Sequence, residues 1–164
     1  MSYPPPLYHG DVGEVSASVR AADAKPDLVY PNGNEVHYLS TGSGNGGLFG
    51  LYRWDFSPAV SGPGAHFHRT VAESFFILSG EVRVFDGRAW VTARPGDYLH
   101  VPPGGLHGFR NESGARASML LHFAPGAPRE AYFEGLARFA TEGRPGAEEY
   151  DAFMREHDNC WVDD

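Results

Sequence analysis

Lysine is almost missing from this chain: Lys25 stands alone against twelve arginines. The basic residues form no block and the formal net charge is −8, which excludes the basic stripe that a nucleic-acid surface requires. Cysteine is equally scarce. The single Cys160 has no partner for an internal disulfide, and it reads as an incidental residue near the C-terminus rather than a nucleophile. No apolar run is long enough to span a bilayer, and the opening Met1-Ser2-Tyr3-Pro4-Pro5-Pro6 contains no apolar signal region, so a cytoplasmic location is expected. No segment repeats internally. The 164 residues match one domain, and a chain of this length buries roughly two thirds of its unfolded surface, enough for an unaided core.

Turn formers, by contrast, are abundant. Twenty-one glycines and thirteen prolines suit many short strands joined by turns, an all-β pattern. Residues 12–20 and 35–41 read as short strands. Leu48 to Phe56 places Tyr52, Trp54 and Phe56 on one face and Leu51, Arg53 and Asp55 on the other, the period of a half-buried strand. Further strands are expected over 73–79, 81–85, 89–93, 97–102, 106–111 and 116–123, with Asp86-Gly87 as a hairpin turn. Glu73, Phe75 and Ile77 should point inward. Phe76 and Leu78 then point outward, and they too are apolar, so both faces need cover. Either the terminal segments or a second subunit supplies it, and together with the extended Pro4–Pro6 arm this predicts a homodimer. After Pro125 and Pro128 the period changes. Tyr132, Leu136, Phe139 and Ala140 recur at helical spacing, and Pro145 opens a second helix with Tyr150, Phe153, Met154 and His157 on one face. Both helices are expected to pack on the outside of the sheet structure, with His157 and Trp161 anchoring the tail. The chain thus divides into an arm and strand (residues 1–34), a β-barrel (35–124) and a helical segment (125–164).

The chemistry concentrates in His66, His68, Glu73 and His107. Three imidazoles and one carboxylate form a complete ligand set for a divalent transition metal. His66 and His68 are two apart, so on a strand both leave from one face. Arg69 to Ala72 give room to turn, and Glu73 opens the partner strand Ser74-Phe75-Phe76-Ile77-Leu78 opposite them. His107 arrives from a distant segment, after the turn signal Pro102-Pro103-Gly104-Gly105. A site assembled from separate strands of one closed sheet would sit inside a barrel. Tyr52, Trp54, Phe75 and Phe109 either line a pocket for a flat ligand or fill the barrel core. His100 and His122 read as strand histidines bonded locally, and Gly104 and Asn111 as turn residues.

Two stretches resemble the motifs of the cupin family. The first, His66-x-His68, four residues, Glu73, six residues, Gly80, fills every position of the first motif. The second, Gly96, five residues, Pro102-x-Gly104, two residues, His107, three residues, Asn111, fills the second. Flanking strands extend the resemblance over most of residues 35–123. It implies a single small antiparallel barrel, a double-stranded β-helix or jelly roll, holding one divalent transition metal ion (iron, nickel, manganese, copper or zinc) through His66, His68, Glu73 and His107. It further implies a metal-dependent enzyme, a dioxygenase of the quercetinase-like kind acting on an enolic, flavonoid- or polyketide-like small molecule, with Glu73 as ligand and proton shuttle. Tyr52, Trp54, Phe75 and Phe109 would then bind substrate. Two alternatives stay open: a non-redox Lewis-acid enzyme such as a polyketide cyclase, isomerase or lyase, and a non-catalytic small-molecule-binding module. The intact ligand set, and the lack of any stretch for an attached DNA-binding domain, count against the module.

Overall fold

Gly50–Phe56 shows how this sequence builds its sheet: every second side chain, Tyr52, Trp54 and Phe56, is buried, while Leu51, Arg53 and Asp55 are half-exposed. The computed structural model describes residues 2–162. In chain order the strands are β1 (Leu28–Val29), β2 (Glu35–Ser40), β3 (Gly50–Phe56), β4 (His66–Phe67), β5 (Ala72–Ser79), β6 (Val82–Phe85), β7 (Trp90–Ala93), β8 (Tyr98–Val101), β9 (Gly108–Arg110) and β10 (Ala117–Ala124). Helices α1 (Arg129–Glu142) and α2 (Ala147–Glu156) follow, and then a short strand β11 (Cys160–Trp161). The strands pair antiparallel in three sheets: β1-β2-β3-β10-β5-β8, β7-β6-β9, and β11-β4. Phe109 of β9 meets Phe75 of β5 at 5.3 Å and Phe56 of β3 at 6.1 Å between ring centroids, so the two larger sheets share one core. This is the mostly β jelly-roll architecture, with two helices near the C-terminus.

Three features differ from the sequence reading. Strand β5 is not the hairpin partner of the His66–His68 segment: β4 pairs with β11, and β5 pairs with β10 and β8. Residues 12–20 form no strand. Residues 2–23 are exposed throughout, and Val15 and Val19 pack on nothing. The sheet edge they would need is held by β1, which pairs with β2. The arm is tied to the fold near its base, where Arg20 meets Asp27 at 2.7 Å.

The helices, too, do not pack on the outside. Phe133 of α1 lies edge-on against Tyr52 and Trp54, at 5.2 and 5.5 Å, and both of these point inward from β3. Helix α1 therefore closes the barrel mouth, because large aromatic side chains there leave apolar surface that the strands alone cannot cover. Helix α2 packs on α1 through Phe153, which meets Phe139 at 4.9 Å and stacks on Tyr132 at 5.8 Å. Gly135 makes this possible: the Phe153 ring sits about 2.4 Å from where a Cβ would be. Among the described residues, no helix is long and apolar enough to cross a membrane.

Candidate metal centre

His66 leaves β4, Glu73 leaves β5, and His107 lies just before β9; His68 follows β4 by one residue. Backbone pairing brings them together. The amide of His66 bonds the carbonyl of His107 and the reverse, both at 2.9 Å, and Gly104 donates to the carbonyl of His68 at 2.7 Å. One residue beyond β9, Asn111 exchanges backbone bonds with Ser61, while its side-chain amide donates to the carbonyls of Ser57 and Ala115. Asn111 is thus a turn clamp, as its motif position suggested. Gly62 permits this lacing: it has φ +131°, and a Cβ there would lie 2.1 Å from the carbonyl oxygen of Phe109.

Each imidazole donates its Nδ1–H to a backbone carbonyl: His66 to Gly64 at 3.0 Å, His107 to Gly105 at 2.9 Å, and His68 to Asp158 at 2.6 Å. That fixes the tautomer and turns the Nε2 lone pairs inward. His68 Nε2 lies 3.0 Å and His107 Nε2 2.8 Å from one oxygen, Glu73 Oε2. The four ligand atoms lie within 4.8 Å of one another, and all four residues are buried. Lone pairs converging on a carboxylate repel unless a cation, or a bridging proton, sits among them. The donor set therefore fits a divalent transition metal.

The electrostatics reflect the same crowding. Burial opposes the charge on Glu73, yet the His107 and His68 imidazoles, donating at Nε2 when they carry a second proton, outweigh it and hold the carboxyl far below the usual range. Burial likewise disfavours a charged His107, but the Glu73 carboxylate beside it raises its proton affinity above the ordinary value. Burial and the charge of His107 push His66 down to about 3.

His66 and Glu73 open onto a cavity of about 310 Å³ beneath α1. Its walls are largely aromatic and include Trp54, Phe109, Phe123, Tyr132 and Phe133. Of the residues expected to bind substrate, Trp54 and Phe109 line this cavity. Tyr52 does not: it is fully buried, and its hydroxyl donates to Glu130. Phe75 sits behind the centre, its ring 5.9 Å from that of His107. His100 bonds Ser74 at 3.3 Å and His122 lies near Phe49, and neither lines the cavity.

Sequence reasoning missed Asp158, Arg129 and Asn159. Asp158 adopts φ 54°, and besides receiving His68 it accepts at its carboxylate from the amides of Arg69 and Thr70, at 2.8–3.0 Å. Strand β11 then pairs with β4, placing Trp161 opposite His66 with their rings 5.3 Å apart. The tail is therefore part of the centre. The only signal available was the Asp158-Asn159 turn pair after a helix. A second cluster, Glu35, His37 and Asp55, already has its cation: Arg53 donates to His37 Nε2 at 2.8 Å and to Asp55 at 3.0 Å.

In comparisons with known proteins, the cupin domain family matches residues 52–123. No curated protein matches the chain. Among solved structures, the chain is similar to a predicted oxalate decarboxylase from Thermotoga maritima, with 21% identity, 66% of this chain and 99% of that one covered, and a TM-score of 0.59. KdgF from Halomonas sp. is 14% identical, with 65% and 91% covered and a TM-score of 0.56. The polyketide cyclase RemF from Streptomyces resistomycificus is 23% identical, with 66% and 78% covered and a TM-score of 0.53. At these identities the likeness carries the fold alone.

Proposed function

We propose, from the match of residues 52–123 to the cupin domain family, that the chain is a metal-dependent cupin enzyme acting on a flat, enolic small molecule, with dioxygenation as its reaction. One observation carries this reading. Three imidazoles and a carboxylate converge where His66 and Glu73 meet an aromatic-walled cavity. His66, His68, Glu73 and His107 would hold the ion, which when bound supplies a Lewis acid and, if redox-active, an electron path to dioxygen.

The rest is the work of the chain's own residues. The aromatic walls exclude water and favour a flat ligand. The cavity volume lies at the lower end of the roughly 300–1,000 Å³ usual for small-molecule sites, which suits a compact ring system. That Glu73 lines the cavity supports a role for its carboxylate in taking a proton from an enol. A non-redox reading as a cyclase, isomerase or lyase rests on the same residues, since three imidazoles and a carboxylate suit zinc as well as iron.

Elemental analysis of protein purified without an affinity metal column, alongside dioxygen uptake with a flavonol, tests the proposal. Stoichiometric iron, nickel, manganese or copper with oxygen consumption supports it. Zinc without oxygen uptake shifts the reading to the Lewis-acid enzyme, and protein without metal would favour a binding module.

A further inference from the structure

We propose that the cavity binds its ligand as an anion, a flat carboxylate whose negative charge is received by Arg129. This rests on reading the cavity as the substrate site. Arg129, the first residue of α1, is 5% exposed, lines the cavity and is buried among aromatic rings. Its guanidinium lies 4.2 Å from the ring centroid of Tyr132 and 4.9 Å from that of Phe123. It donates to the carbonyl of His157 at 2.7 Å and to Asn159 Oδ1 at 3.2 Å, both neutral acceptors, and its Nε has no partner.

Among the described residues no carboxylate lies within ion-pair distance of it. Four other arginines give a contrast. Arg20, Arg53, Arg94 and Arg110, all nearer the surface, each meet a carboxylate at 2.7–3.2 Å. Arg129, buried and most in need of a counter-charge, is thus without one. A buried charge is costly unless paired, and aromatic faces attract a cation without neutralising it. The positive end of the α1 dipole falls at the same place, and the helix has no side-chain cap. Glu130, the next residue, turns away to Tyr52. Glu73 also lines the cavity, but it is engaged by His68 and His107. A second buried donor without a partner, Trp54 Nε1, belongs to the same cavity wall. A flat carboxylate meets these demands together: two acceptor oxygens, one negative charge, and a planar body for aromatic walls.

The competing reading is that Arg129 only fastens the tail through His157 and Asn159. Calorimetric titration of the full chain with benzoate and its neutral isostere benzamide separates the two, run on chelator-treated and on zinc-loaded protein. Benzoate should bind the metal-free wild type roughly tenfold more tightly than benzamide, the margin expected of a charge-assisted contact. Arg129→Gln should abolish that preference, Arg129→Lys should keep part of it, and Trp54→Phe should weaken benzoate severalfold. A purely structural Arg129 would alter folding and zinc uptake while leaving the benzoate-to-benzamide ratio unchanged. Equal affinities in the wild type, no benzoate binding at millimolar concentration, or an undiminished preference in Arg129→Gln overturns the proposal. Should Arg129→Gln fail to fold, the wild-type comparison and Trp54→Phe decide. Zinc stoichiometry on the same samples keeps the two readings apart. Anion preference without zinc uptake would sink the metal centre alone, and zinc uptake without anion preference would sink the Arg129 subsite alone.

Discussion

At the scale of single residues, the centre is defined by what its histidines do with their other nitrogens. Each Nδ1–H is held by a carbonyl, so removing one ring removes a pre-aimed ligand. His107→Ala should lower metal occupancy sharply, and unchanged metal content by elemental analysis would refute the assignment. The metal-free protein should also be acid-sensitive. His66 is held neutral in the fold, with its value lowered from 6.5 to about 3, so the unfolded chain takes up the proton first. Stability therefore falls as pH drops through that window, by up to about 1.4 kcal/mol per pH unit for one such group. His37, lowered by burial and by Arg53, adds with the same sign. His107 has the opposite sign: its raised proton affinity contributes below its ordinary value and is lost as pH rises through its folded one. Thermal unfolding of chelator-treated protein should show Tm rising between about pH 4 and pH 6, and a flat profile would contradict this. The four ligand positions were legible in the sequence because together they fill both cupin-like motifs, although the hairpin expected to set Glu73 opposite His66 and His68 does not form. Arg129 was not legible, because an arginine opening a helix looks the same whether it faces solvent or a cavity.

At the scale of elements, period-two alternation made β3, β5 and β10 readable, since one face of each strand must be buried. The helical stripe of 129–142 was equally readable, but a stripe says only that a face is covered, not by what. Its placement over the barrel mouth depends on Tyr52 and Trp54 being too large for the strands to enclose. Phe133→Ala should accordingly cost about 3–5 kcal/mol by denaturant unfolding, the range for truncating a buried phenylalanine. Strand β11 was unreadable because two residues carry no period. Its anchor is testable: Asp158→Ala removes the carboxylate that clamps Arg69 and Thr70 and places the carbonyl facing His68. Metal affinity measured by competition with a chromophoric chelator should fall about tenfold or more, the usual effect of losing a group that orients a ligand. An unchanged affinity would make the tail a passive cover.

At the scale of the whole molecule, the outward face of β5 remains bare. Phe76 and Leu78 are each 40% exposed. Tyr98, register partner of Phe76 on β8, extends the apolar strip and is 64% exposed. We propose that a second copy of the chain covers this face. Light scattering should give twice the mass of one chain, and Phe76→Glu should shift it toward the monomer; a monomeric mass at high concentration would end the proposal. The doubly apolar strand was legible as a problem, though not as a solution. The tail has a different consequence, in the timing of synthesis. A nascent chain that has made the barrel through Ala124 already owns all four ligands, yet the carbonyl that orients His68 lies ninety residues beyond that histidine. The ribosome must therefore deliver Asp158 before the centre acquires its final shape.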